Sequence, residues 1–75
     1  MPRAPKDLRE MIEVVTLAIP RERDATRFYT KAAEISTSEE ARRLFLSLAQ
    51  QEVVHEKVLT DLLRDLQKEL AELSR

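Results

Sequence analysis

The sequence predicts an all-α protein in which two long helices form an antiparallel hairpin and two hairpins form a four-helix bundle. The 75-residue chain has 36% charged residues, 4% aromatic residues and no glycine, a composition typical of long helices. Apolar residues recur at steps of three and four in both halves of the chain, as they do on one face of a helix. A short polar segment, Ser36 to Ser38, separates the two halves.

The first helix is predicted over residues 6–35, and its apolar stripe runs from Leu8 to Ala33. In a heptad lettered a to g, position a is occupied by Leu8, Val15, Glu22 and Tyr29. Pro20 then falls at position f, on the solvent side. Because proline has no N–H and crowds the preceding turn, it either bends the helix here or breaks it. The stripe keeps its phase through Pro20, which favours the bend.

The second helix is predicted over residues 38–73, after a turn at residues 36–38. Serine and threonine side chains in this turn can cap the helix, and Glu39 and Glu40 suit its positive N-terminal end. We call the a and d positions of each helix its seam. In the second helix the seam is occupied by Phe45, Leu48, Glu52, His55, Leu59, Leu62 and Leu66.

Residues 1–75 are predicted to form one small domain that requires a partner. The chain contains no cysteine, so no disulfide supports a core of this size, and metal binding or oligomerisation must do so. The apolar stripes are wider than one helix contact covers, since Val14, Leu44, Val58 and Leu63 flank them. A homodimer that completes a four-helix bundle covers them.

The charge balance argues against nucleic acid and membrane partners. The chain has 13 basic and 14 acidic residues and a formal net charge of −1, so neither sign is forced into a patch. The first ten residues lack the apolar segment of a signal peptide, and no apolar run approaches the length of a membrane span. We therefore expect a soluble, cytoplasmic protein.

Three polar residues occupy seam positions where apolar residues are expected. Glu22 lies 15 residues before Thr37, and Glu52 lies 15 residues after it, with His55 one helical turn further on. Because residues at equal distance from the turn of a hairpin face each other, these three side chains are predicted to converge. A buried carboxylate needs a compensating partner. The alternative is a surface pair of Glu52 with His55 and a rim charge at Glu22.

A homodimer doubles this set to four carboxylates and two imidazoles, which matches the di-iron or di-manganese carboxylate arrangement of four-helix bundles. Oxygen and nitrogen ligands suit iron or manganese, and zinc remains an alternative. Tyr29 lies two turns from Glu22, so its hydroxyl reaches either the site or a backbone carbonyl. Glu34 and Glu56 are expected in solvent, with auxiliary metal binding as the alternative.

Two segments carry a resemblance to a known family. "ERDATRFYTKAAE", residues 22–34, and "EEARRLFLSLAQQEVVHEKVL", residues 39–59, resemble the first two helices of rubrerythrins and related ferritin-like di-iron proteins. The resemblance covers about residues 8–66. It implies that Glu22 is a terminal ligand, Glu52 a bridging ligand and His55 the nitrogen ligand, with Tyr29 as the tyrosine near the site.

The chain departs from most of that family because it supplies two helices rather than four. In this it is similar to encapsulated ferritins, whose two-helix chains dimerise and associate further into rings. That similarity implies two iron ions per dimer, ferroxidase or related oxidase or peroxidase activity, and a protein shell around the assembly. Leu46 and Val53, seven residues apart outside the seam, offer a second interface. The tail shows no segment resembling a cargo-loading peptide.

Two other interpretations stay open at this point. The chain is either a metal-free helical hairpin that serves as an interaction or assembly module, or the N-terminal half of a longer rubrerythrin-like protein. A buried polar seam position can set the register of a helical bundle without any metal.

Overall fold

The computed structural model describes residues 3–74, which form an antiparallel hairpin of two helices and contain no strand. Helix α1 spans Pro5–Ile35 and helix α2 spans Glu39–Leu73. The hairpin measures 56 × 16 × 15 Å. These bounds agree with the predicted helices to within one residue, so the hairpin is confirmed. Within the described range, neither helix is long and apolar enough to cross a membrane.

The turn between the helices is closed by a side-chain cap. The Ser38 hydroxyl accepts a hydrogen bond from the Ala41 N–H at 3.2 Å, which satisfies one of the free donors of the α2 N-terminus. Glu39 lies in the first turn of α2 and binds the Arg42 guanidinium through both carboxylate oxygens. The polar segment therefore ends one helix and starts the next, as its composition predicts.

Pro20 lies inside a continuous helix. Helix α1 runs through it without interruption, and the residue is exposed to solvent. The alternative of a helix break at Pro20 is therefore wrong. Since water can reach the carbonyl that loses its N–H partner, the exposed side is the position where proline disturbs a helix least. The seam of α1 consequently keeps its phase from Val15 to Glu22.

The apolar core lies toward the open end of the hairpin, away from the turn. Its buried residues are Leu8, Val15, Ile19 and Leu66, with Met11, Ile12, Leu59, Leu63 and Leu70 packed around them. Toward the turn, the buried residues are Ala33 and Ala49, whose small side chains let the helices approach closely. The core therefore ends near the middle of the hairpin.

The buried positions correct one sequence expectation. All six buried residues occupy heptad positions a and e, so the partner helix lies between these two positions. Position d, which the predicted seam of α2 also placed inside, lies at the edge of the helix contact and is only partly covered in the single hairpin. Leu62 at this position is accordingly 37% exposed. Within the described residues, the d side of each helix is therefore only partly covered.

Positions d and g of both helices share one side of the hairpin, which we call the open face. Viewed from one end, the chain advances clockwise in one helix and counter-clockwise in its antiparallel neighbour. The same heptad position therefore lies on the same side of the pair in both helices. The large exposed apolar residues of this face are Val14, Phe28, Ile35, Leu44, Val58 and Leu62. The opposite side, the reverse face, carries exposed Leu46 and Val53.

Candidate metal centre

Three potential ligand side chains converge at the middle of the hairpin. The His55 Nδ1 lies 3.5 Å from the Glu22 Oε2 and 3.6 Å from the Glu52 Oε2. One ligand atom from each of these residues lies within 4.8 Å of the other two. The structure thus brings together the three residues that the sequence places at one level, because both helices rise equally from the turn.

The three side chains differ in exposure in a way that follows from their heptad positions. Glu22 and Glu52 occupy position a, and their side chains are 25% and 19% exposed. His55 occupies position d on the open face and is 57% exposed. The expected burial of His55 is therefore not reached within one hairpin. Protein encloses the site from one side only, and the imidazole lies on the side that remains open.

One carboxylate oxygen at this site lacks the partner that its burial requires. The Glu22 Oε2 is inaccessible to solvent and accepts no hydrogen bond from the described residues. A buried polar atom without a partner destabilises a protein by about 1–3 kcal/mol. A cation placed among the three groups would satisfy it, and the donor set of two carboxylates and an imidazole suits iron, manganese or zinc. The residues therefore fit a metal ion.

The electrostatics of the site also favour a cation. Contact with the Glu52 carboxyl group raises the pKa of Glu22, burial raises this pKa further, and His55 opposes both effects. Two carboxyl groups whose oxygens lie within 4.8 Å of each other resist simultaneous ionisation. The charged form of Glu22 is therefore disfavoured in the absence of metal, and a cation at this position would favour it.

This raised pKa predicts opposite pH dependence for the metal-free and metal-bound protein. A raised pKa in the folded state stabilises the fold at acidic pH, and the contribution is lost as pH rises through that pKa. Metal-free wild type should therefore lose stability relative to the Glu22→Gln variant as the pH rises above the ordinary pKa of a glutamate. With metal, the order should reverse at neutral pH. Urea unfolding at one protein concentration, with chelator or with metal, measures both differences.

The glutamine variant serves as the internal control, since it resembles the protonated acid at every pH and shares all other titrating groups with wild type. If the difference in unfolding free energy between the metal-free wild type and the glutamine variant does not change with pH, the pKa of Glu22 is not raised. An unchanged response of the variant to metal would remove Glu22 from the ligand set.

Tyr29 lies in an aromatic cluster on the turn side of the site. Its ring stacks on Phe45 with centroids 6.4 Å apart and contacts the edge of Phe28 at 5.5 Å. Tyr29 follows Glu22 by seven residues and Phe45 precedes Glu52 by seven, so both rings lie about 10 Å from the carboxylates along the hairpin. The rings thus form an aromatic cluster one heptad from the carboxylates, and a direct role for the Tyr29 hydroxyl stays a prediction.

The two suggested auxiliary ligands lie outside the convergent group. Glu34 is exposed near the end of α1, where its carboxylate lies 3.7 Å from the Lys31 Nζ. Glu56 accepts a hydrogen bond from the Arg23 guanidinium across the hairpin. This contact was not predicted from the sequence, since Glu56 was expected in solvent. Because Arg23 follows Glu22 and Glu56 follows His55, the ion pair braces the helices beside two of the three candidate ligands.

Comparison with known proteins agrees with this geometry. The sequence model of the rubrerythrin family matches residues 13–75, a range that contains Glu22, Glu52 and His55 and most of both helices. Neither the curated proteins nor the solved structures yield a match to the chain. The family match covers well over half of the sequence. The chain therefore belongs to the rubrerythrin family.

Proposed function

We propose that this protein binds iron as a di-iron carboxylate protein, with Glu22, Glu52 and His55 of each of two chains as ligands. The observation that carries the proposal is the convergence of these three groups around a buried carboxylate oxygen without a hydrogen-bond partner. Membership of the rubrerythrin family supports it. The metal-free fold holds two carboxyl groups in contact, which is unfavourable unless a proton or a metal ion lies between them.

A second copy of the chain supplies the other half of the proposed centre. One hairpin offers two carboxylates and one imidazole, and its site is open on the side where His55 lies. Two hairpins offer four carboxylates, which balance the charge of two divalent ions, and two neutral imidazoles that donate nitrogen. In this arrangement Glu22 would act as a terminal ligand and Glu52 as a bridging ligand, as in the family.

Iron held by these residues would supply one-electron redox chemistry toward O₂ or peroxide. With Fe(II) as the substrate, the proposed activity is that of a ferroxidase, or of a related oxidase or peroxidase. The chain's own contribution is to hold the two carboxylates at one level and to place the imidazole beside them. Manganese would fit the same donors, whereas zinc would bind without redox chemistry.

Anaerobic titration with Fe(II), followed by exposure to air, tests this function. We expect about one iron per chain, or two per dimer, and the growth of Fe(III) absorbance after air is admitted. Native mass spectrometry of the same sample counts chains and metal ions together. A parallel titration with Zn(II) separates binding from oxidation. Binding of iron without Fe(III) absorbance would contradict the redox activity, and absence of binding would contradict the metal site itself.

A second candidate function is that of a metal-free assembly module. The observation that favours it is the open face, which exposes large apolar residues and calls for a partner whether or not metal is present. The polar seam residues would then set the register of the bundle. The two functions differ in one measurable property, because only a metal protein gains thermal stability from iron.

A further inference from the structure

Four of the six large exposed apolar residues of the open face are arranged symmetrically about its centre. Val14 and Phe28 lie seven residues to either side of Arg21 on α1, and Leu44 and Val58 lie seven residues to either side of Gln51 on α2. All four apolar side chains are more than half exposed. A spacing of seven residues keeps them on one side of each helix.

The two centres of symmetry coincide with the level of the candidate metal centre. Arg21 and Gln51 directly precede Glu22 and Glu52 in the sequence, so each lies within about 1.5 Å of the level of these carboxylates along the hairpin. At a rise of about 1.5 Å per residue, the four apolar residues lie about 10 Å above and below this level. Val14 and Val58 lie toward the open end, and Phe28 and Leu44 lie toward the turn.

We infer that a second copy of the chain packs on the open face in the opposite direction, with a two-fold axis that crosses the hairpin at the level of Arg21 and Gln51. This rotation places α1 over α1 of the partner and α2 over α2. Val14 then faces the partner's Phe28, and Leu44 faces the partner's Val58. That the open face binds a second copy of the chain rests on the proposed function, because the half-open site requires a second set of ligands at the same level.

A two-fold axis along the length of the hairpin is the competing arrangement. It would place Val14 over the partner's Val58 and Phe28 over the partner's Leu44. Two small side chains would then meet at one end and two large ones at the other, which leaves a gap and a crowded contact in the same interface. The crossing axis instead opposes a large residue with a smaller one at both ends, as uniform packing requires.

The chain contains no cysteine, so single-cysteine variants report the orientation directly. A Val14→Cys chain is mixed with a Phe28→Cys chain in one sample and with a Val58→Cys chain in another, each loaded with Zn(II) and treated with a short bis-maleimide. We expect the first mixture to give several-fold more cross-linked heterodimer than the second. Val14→Cys alone should cross-link poorly, since the two copies of this position lie on opposite sides of the axis.

The mixture of Leu44→Cys with Val58→Cys repeats the test on α2 and does not depend on the folding of the α1 variants. Preferential cross-linking of Val14→Cys with Val58→Cys would overturn the inferred orientation and leave the proposed function intact. Iron binding at about one ion per chain without cross-links in any mixture would place the partner on another surface and also overturn it. Cross-links in the expected mixtures without metal binding would support the interface and contradict the proposed function.

Discussion

Replacement of Glu52 with leucine is expected to abolish iron binding and to raise the melting temperature of the metal-free protein. The Glu52 carboxyl group is largely buried against Glu22, whose own oxygen lacks a hydrogen-bond partner. A leucine at this seam position removes the repulsion between the two acids and adds apolar contact with the neighbouring core. A gain of about 1 kcal/mol would raise the melting temperature by about 4–8 °C for a chain of this size.

The response to metal separates the two candidate functions. A ligand present at 100 times its dissociation constant stabilises the folded state by about 2.7 kcal/mol, so wild type should gain well over 10 °C with iron. Glu52→Leu should gain nothing. The matched control is Glu13→Leu, the same substitution at an exposed position of α1, which should keep the full metal-dependent gain. Thermal unfolding followed by circular dichroism, with anaerobic Fe(II) or with chelator, measures all three proteins.

Two results would contradict this account. If Glu52→Leu still gains stability with iron, Glu52 is not a ligand. If wild type gains none while the leucine variant is the more stable protein, the seam residues act only on register, and the assembly module is the better description of the chain.

The fold was predictable because its determinants are local and periodic. The 3.6-residue repeat of apolar side chains marks both helices, and Ser38 followed by two glutamates marks the start of the second. The effect of Pro20 was decided by the same periodicity, since an apolar stripe in constant phase requires a continuous helix. Element bounds therefore followed from sequence to within one residue.

The candidate site was predictable in its level but not in its exposure. Equal distance from the turn places Glu22 and Glu52 together, because every α-helix rises by the same amount per residue. The exposure of His55 was missed, since position d is buried in a two-stranded a/d seam but lies at the edge of the contact when positions a and e form the core. The contact of Arg23 with Glu56 was missed because it depends on side-chain reach across the hairpin rather than on spacing.

A charge on the open face is expected to separate the chains and thereby release the metal, although it touches no ligand. Val58 is 59% exposed in the single hairpin, so aspartate at this position is compatible with the folded chain. In the inferred dimer, the same carboxylate would lie against the partner's Leu44 without a counter-ion, which destabilises the interface by several kcal/mol. Because each half-site is incomplete alone, the Val58→Asp variant should bind iron at least about tenfold more weakly.

Leu46→Asp is the matched control, since it places the same charge at an exposed apolar position of α2 on the reverse face. Size-exclusion chromatography with light scattering, circular dichroism and iron titration compare the two variants. If Val58→Asp loses helicity, the Val14→Asp variant on α1 repeats the test. A Val58→Asp protein that remains dimeric with full iron occupancy would exclude the open face as the interface. If Leu46→Asp keeps the dimer and its iron but loses larger species, the reverse face joins dimers into a higher assembly. Metal binding and higher assembly would then depend on separate surfaces of one short hairpin.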